Sequence, residues 1–427
     1  MAAHSHKRFA QVLAKRISYL LSACITCLFS YNLCAESTKP AINKGITSLK
    51  NPILSLRARA AHQEQQTAGS AASYRLRLSW QQPLYSALEA KIAFDHIATY
   101  WQENHSDGVR FNSMPVIPDT PSTQINEAWI SGHWQALKVK IGKQRISLNN
   151  QRHIGSNGFW QDEQTFNATQ LNYAAGMSTT INLSYLSKAY RITGPQAGAY
   201  LKPSDHNNLA LNGLRPKELL GEHNLKTLVA ALKTTILDTH KVSAYYIDND
   251  NLTAPTLNYR SFGTSYQWKQ AFGTVKAAFE ADLSLQQRND INQIPYSRIR
   301  GELNNRHWHF ALEQEQLGSK SGTAYITPMA SLHDFQGFAD QFLSTPSQGV
   351  TDHNIQARYV FSGYKATVTG HHFTGYSNTQ YLGKELDIDI KLPDIYQLKT
   401  HLRYAYFAAP STQQDVQRLF LTISVTL

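Results

Sequence analysis

Tyr74-Arg75-Leu76-Arg77-Leu78-Ser79-Trp80 places two aromatics and two leucines on one parity, and two arginines and a serine on the other. A repeat of two residues is that of a β-strand with one apolar and one polar face. Upstream, Leu54, Leu56, Ala58 and Ala60 alternate with Ser55, Arg57 and Arg59. The same pattern runs through Val275 to Leu285, where Lys276, Glu280 and Asp282 interleave with Ala277, Phe279 and Ala281. It recurs at Ile299 between Arg298 and Arg300, at Ile388 and Ile390 with Asp387 and Asp389, and from Tyr396 to Tyr406 with Lys399, His401 and Arg403. The chain ends on Arg418-Leu419-Phe420-Leu421-Thr422-Ile423-Ser424-Val425-Thr426-Leu427, which has the alternation of a closing strand. Helical periodicity is weak throughout.

The pattern predicts about 18 strands, starting near 53, 73, 85, 123, 136, 164, 177, 222, 237, 256, 272, 294, 306, 353, 364, 382, 395 and 415. Every second connection is tiny, as at Gln135, Ala175-Gly176, Asn304-Asn305 and Ser362-Gly363. The others include long stretches at 99–122, 149–163, 191–221 and 317–352. A soluble sandwich has no reason to alternate long and short connections in step with strand parity, whereas an outer-membrane barrel has short periplasmic turns and long external loops. Trp80, Tyr85, Trp134, Trp268, Trp308, Tyr364 and Tyr396 all fall beside the short turns, where rings with a polar edge suit the headgroup level. The expected fold is therefore all-β: a transmembrane antiparallel barrel over residues 53–427.

Composition agrees. Of 427 residues, 42% are apolar and 17% charged, and a mean hydropathy of −0.40 leaves no room for repeated apolar helices of about 20 residues. Lys7, Arg8, Lys15 and Arg16 precede the apolar run Ile17 to Leu33, which reads as a secretory signal over residues 1–35 cleaved after Ala35. Residues 36–52 would form a short periplasmic segment. Cys24, Cys27 and Cys34 are the only cysteines and would leave with the signal, as would four positive charges, taking the formal charge from +11 to +7. The remaining chain is expected to carry no disulfide, thiolate metal site, cofactor or catalytic residue. An isoelectric point near 9.3 suggests a nucleic-acid partner, but the bases are dispersed over alternating strand positions, so none is expected.

With apolar positions facing lipid, the opposite face must line a polar lumen, because a cation facing hydrocarbon costs about 2–4 kcal/mol at mid-depth. Predicted basic lining residues are Arg57, Arg59, Arg75, Arg77, Lys138, Lys140, Arg298, Arg300, Lys399 and Arg403, with Lys365 and Lys391 on the same face. Acidic counterparts are Glu280, Asp282, Glu302, Glu313 and Glu315. Closure of the barrel would gather the first four arginines near Lys399, Arg403 and Arg418, with the acids of strands 11 to 13 roughly opposite. A net-basic wall bounded by low-dielectric protein favours anions; the alternative is that the charges pair and brace the wall. The loop from Asn149 to Asp162 is a candidate constriction, its Asn150, Gln151, Arg152, His153, Phe159, Trp160 and Gln161 mixing aromatics with amides suited to sugars. Asp248-Asn249-Asp250-Asn251 is read as an external loop without the spacing of a Ca²⁺ site.

Two blocks resemble the alginate-export-like outer-membrane porin family. One comprises Gly142-Lys143-Gln144-Arg145-Ile146, Asn150 to Gly155 and Gly158 to Ala168; the other is Leu332-His333-Asp334-Phe335-Gln336-Gly337-Phe338-Ala339-Asp340-Gln341-Phe342-Leu343. The family's usual Arg-Phe-Ile-Gly and Gly-Trp-Arg-Gln are replaced here around His153, Phe159 and Trp160, which removes a loop cation. The resemblance implies a monomeric barrel of about 18 strands that passes solutes across the outer membrane of a Gram-negative bacterium. The expectation is a passive channel for small hydrophilic, preferentially anionic solutes or oligosaccharides, in contact with outer-membrane lipids, lipopolysaccharide and the barrel assembly machinery. Alternatives are export of an anionic polysaccharide such as alginate, or a surface adhesin with an incidental pore.

Overall fold

A computed structural model describes residues 51–110, 113–198 and 215–427; the expected signal segment and nearly all of 36–52 lie outside them. Thirteen long strands come first: β1 Ile53–Glu64, β2 Ala68–Tyr85, β3 Leu88–Tyr100, β4 Ser122–Trp134, β5 Leu137–Gln144, β6 Thr165–Ala174, β7 Thr179–Tyr190, β8 Glu222–Ile236, β9 His240–Asn251, β10 Tyr259–Phe272, β11 Val275–Arg288, β12 Ile291–Asn304 and β13 Trp308–Leu317. A two-residue hairpin, β14 Ser319–Lys320 and β15 Thr323–Ala324, decorates the next loop. Five further strands complete the set: β16 Val350–Phe361, β17 Tyr364–Thr374, β18 Tyr381–Lys391, β19 Lys399–Ala408 and β20 Val416–Thr426.

Each of the eighteen long strands pairs antiparallel with its chain neighbours, and β20 returns to β1, with Ser55 opposite Thr426 and Glu64 opposite Gln417. The sheet is a closed barrel without edges. Strand starts agree with the alternation to within five residues, the largest difference being at β2. One reading changes: Asp248 to Asn251 is the end of β9 rather than a loop, and there Asp248 pairs with Arg260 and Asn249 with Thr227.

The pleat sends apolar side chains outward into an exposed band that includes Leu78, Phe94, Ile141, Leu183, Phe262, Leu283, Ile299, Phe310 and Ile355. A monomer in water could not carry so much contiguous apolar surface; in a membrane it meets lipid. Trp134, Trp308, Tyr364 and Tyr396 are exposed at the short-turn end, the position of an aromatic girdle. Tight turns shape that end. Between β16 and β17, Ser362 and Gly363 have φ of 47° and 86°, the pair of positive angles that a type I′ hairpin needs to match strand twist. At the other rim the connections 101–121, 145–164 and 318–349 are long, and they turn inward.

Candidate functional site

β1 and β10 lie nine strands apart in a ring of eighteen, so a segment bonded to both sides must run through the lumen. The 145–164 loop does so. At one end Arg57 Nε donates to Gln161 Oε1 (2.8 Å) and Arg57 Nη1 to the Gly158 carbonyl (2.9 Å). At the other, Asn149 Nδ2 donates to Ser243 on β9 and Ser265 on β10, at 3.2 and 3.3 Å. Arg152 pairs with Glu315 of β13 at 2.9 Å, and Tyr245 of β9 bonds His153 Nε2 at 2.6 Å. The predicted constriction loop is thus folded into the barrel.

The 325–349 loop enters from another quarter and locks against it. Gly155 N donates to the Met329 carbonyl (2.9 Å), Ser331 N to the Gln151 carbonyl (3.1 Å), and Gln164 Nε2 to Met329 O (2.8 Å). Ile154, Met329, Leu148 and Phe166 join an apolar cluster with Leu186, Val229 and Ile247 of the wall. This second loop is anchored by Ala339 N to Glu385 Oε1 (2.7 Å), Phe338 N to Asp387 Oδ2 (3.1 Å) and the Arg418–Asp340 pair. From the 101–121 connection, Asp119 accepts from Arg59 (3.1 Å), Ser73 (2.7 Å) and Gln161 N (2.9 Å).

These contacts decide what the predicted ladder does. Arg57, Arg59, Arg75 and Arg77 all reach inward, but the loops cover them. Arg75 and Arg77 each bond Glu163 at 3.1 Å, and Arg77 also grips both oxygens of Asp95 at 2.6 Å. They hold the inward-folded loops in place. The loop aromatics and amides are likewise occupied by protein. Phe159 is covered by His333 on one side, and the Arg59 and Arg403 guanidinium groups lie 4.3 and 4.8 Å from its ring centre. Arg152, His153, Trp160 and Gln161 are buried, and Asn150 and Gln151 half-buried.

The second charged group, on β11 to β13, is paired internally and keeps an acidic excess. Arg298 pairs with Glu280, Asp282 and Glu313 at 3.1, 3.2 and 2.8 Å, and Arg300 with Glu302 and Glu313 at 2.5 and 3.1 Å. The basic and acidic sets predicted to face one another are thus partly interleaved on neighbouring strands. Arg403 is tied to Asp389 at 2.9 Å, while Lys140 sits 4.2 Å from the Trp129 ring. Lys138 and Lys399 remain exposed.

Burial sets the electrostatics of the loops. Desolvation, with help from Asp95, pushes the Asp162 carboxyl up to about 7. Desolvation acts the same way on Glu163, but Arg77, Arg145, Arg75 and Arg57 outweigh it and hold that carboxyl well below its usual range. Burial, then Arg152, depresses His153 to about 3. His333 is also lowered by burial, against the pull of Asp340.

Among the described residues, one group of lumen cations forms no ion pair. Lys365 of β17 stands directly opposite Lys391 of β18, both on the lumen parity, with Arg358 of β16 nearby. They line a recess of about 270 Å³ with Phe338, Gln356, Thr367 and Thr369. The two acids there are engaged: Asp389 by His401 and Arg403, Asp387 by His371 and the Phe338 amide. Like charges directly opposite across strands repel, so a lysine pair of this kind is poised for an anion. Parity alone would have found Arg358, inward two positions beyond Gln356. Asp119, by contrast, lies in an aperiodic connection and carries no such signal.

A closed, even-stranded antiparallel barrel with an apolar belt, an aromatic girdle and inward-folded loops has the architecture of bacterial outer-membrane barrels. The chain is similar in fold to OpdL of Pseudomonas aeruginosa, with a TM-score of 0.64 and 11% identity over 88% of this chain and 98% of that one. OpdQ of the same organism gives 0.65 and 14% over 88% and 97%. OccAB4 of Acinetobacter baumannii gives 0.62 and 11% over 89% and 98%. No family model and no curated protein sequence matches the chain.

Proposed function

We propose that this chain is an outer-membrane porin that lets small hydrophilic solutes diffuse passively, with a preference for anions. The observation that carries the preference is the cross-strand pair Lys365 and Lys391 with Arg358, three cations that form no ion pair among the described residues, beside the braced loops. Low-dielectric walls concentrate their field in the passage, and a carboxylated solute would supply the missing counter-charge. Phe338 in the same recess adds an apolar face for the uncharged part of such a solute. The neighbours in fold, which are outer-membrane porins, support the channel reading and the outer-membrane location.

Export of alginate, the narrower function implied by the resemblance, is less well supported. Its two sequence blocks form the loops that cross and brace the lumen, an arrangement that suits small solutes better than a threading polymer. The test is planar-bilayer recording in a potassium chloride gradient. The wild-type reversal potential should favour chloride, and Lys365→Gln with Lys391→Gln should move it toward zero; a cation-selective wild-type channel overturns the preference. Block of the current by long uronate oligomers, with no effect of small monocarboxylates, would favour the polysaccharide.

A further inference from the structure

The outer wall carries a polar row where lipid is expected. Gln314, His353, His372 and Lys384 are consecutive lateral partners across β13, β16, β17 and β18. They share the outward parity of Leu312 and Ile355, and none forms a hydrogen bond or ion pair within the described residues; His372 rests against the Tyr381 ring at 5.7 Å. They lie two or three residues inside the loop-side ends of their strands. With a rise of about 3.3 Å per residue and a tilt of about 40°, His372 stands about 20 Å above the Tyr364 girdle, near the upper edge of an apolar belt about 25 Å tall.

Immediately below runs a second outward row, Gly301, Leu312, Ile355, Gly370 and Leu386. A Cβ added at Gly301 or Gly370 would meet nothing within 4 Å, so each glycine leaves a notch beside the Leu312–Ile355 ridge. The notches are three strand spacings apart, about 14 Å. The two rows, apart from Leu386, line a groove of about 750 Å³ together with Ile299.

We propose that this groove holds a phosphorylated, multiply acylated lipid of the outer leaflet, the lipid A portion of lipopolysaccharide. Its acyl chains lie in the glycine notches, and its phosphate meets Lys384, His372 and His353. Charge complementarity selects this occupant. The outward rim offers one cation, Lys384, with the donors of His353, His372 and Gln314, while the carboxylates of Glu313 and Glu385 are engaged on the lumen side, so a two-fold-related copy of the chain would bring no counter-charge to Lys384. A cationic rim at the apolar edge is costly toward hydrocarbon and favourable toward a phosphate headgroup.

The test is native mass spectrometry of the full barrel in mild detergent, titrated with bis-phosphorylated lipid A, with its dephosphorylated form and with phosphatidylglycerol. Wild type should retain one lipid A per barrel, and the dephosphorylated lipid should bind about tenfold more weakly, the loss of one charge-assisted contact. Combined His353→Ala, His372→Ala and Lys384→Ala should weaken retention by a similar factor, as should Gly301→Leu with Gly370→Leu. Heat-modifiable gel mobility and single-channel conductance should be unchanged in both variants, which separates lost lipid from lost fold. Equal binding of the two lipid A forms by wild type overturns the proposal whether or not a variant folds. So does retention undiminished in the folded triple variant, equal retention of phosphatidylglycerol, or a wild-type dimer that these substitutions dissociate.

Discussion

The ring of Phe159 lies parallel to the imidazole of His333, the ring centres 3.6 Å apart and the planes inclined by 21°. The two residues belong to loops that start 173 residues apart on the barrel rim, 145–164 and 318–349. Trp160 and Phe420 pack edge-on around the same pair, and Arg59 lies over Phe159. The contact fastens one inward loop to the other beside the wall formed by β19, β20 and β1, so the size of the passage depends on both.

Phe159→Ala should therefore loosen the junction without touching the barrel hydrogen bonds. Single-channel recordings should show larger and noisier conductance than wild type, with unchanged heat resistance of the folded form. His333→Ala should do at least as much, because it also removes the bond to Asp340, and adding Phe159→Ala to it should change little, because the stacked pair is already gone. Additive effects would show that the loops are held independently.

A second prediction concerns the buried Arg152–Glu315 pair, whose side chains are 2% and 1% exposed. Removing one member strands a buried charge, at a cost of about 3–5 kcal/mol. Arg152→Met alone should lower the temperature at which the barrel loses its compact gel mobility. Arg152→Met with Glu315→Leu should recover most of the loss, since apolar replacement of both partners of a buried pair is often neutral. A double variant as labile as the single one would refute this.

That pair also marks how far the sequence could be read. Strand number, limits and facing follow from a two-residue period that the membrane enforces on one side and water on the other, so Arg57, Arg75 and Arg298 are recognisable as inward residues from parity alone. Parity says which way a side chain points but not what already occupies the space. Asp119, Glu163 and Met329 sit in aperiodic connections whose path across the lumen is decided by tertiary bonds, so pairing of the arginine ladder within the wall, as between Arg77 and Asp95, is open to a reading by parity, whereas its pairing with the loops is not. Lys365 and Lys391 were legible as lumen cations; their lack of partners became visible only once the loops were placed.

A third prediction follows from the loop acid and histidine, whose pH responses oppose each other. His153 is depressed from 6.5 to about 3, so the docked loop favours the neutral ring, and docking weakens as pH falls from about 6.5 toward 3. Asp162 is raised from 3.8 to about 7, so its contribution is fully present below about 3.8 and is lost as pH rises through 7. His153→Phe should leave a channel whose loop noise decreases on acidification from pH 8 to pH 4. Asp162→Asn should leave one whose noise increases over pH 6.5 to 4. Identical pH profiles for the two variants would show that neither group reports on the loop.

The internally paired cluster on β11 to β13 gives a further prediction, one that separates structural charges from those that meet solutes. Arg298 and Arg300 stand among Glu280, Asp282, Glu302 and Glu313, two cations against four acids, and Arg298 alone touches three of them. Arg298→Gln would leave Glu280 and Asp282 without a cationic partner on a lumen wall, and the reversal potential should move toward cations. Lys399→Gln removes the same formal charge from an exposed position that forms no ion pair among the described residues. It should shift selectivity in the same direction by less and leave stability unchanged, because no acid is released by its loss. Equal shifts from the two substitutions would mean that selectivity follows total lumen charge, and that the pairing around Arg298 has no separate influence on which ions pass.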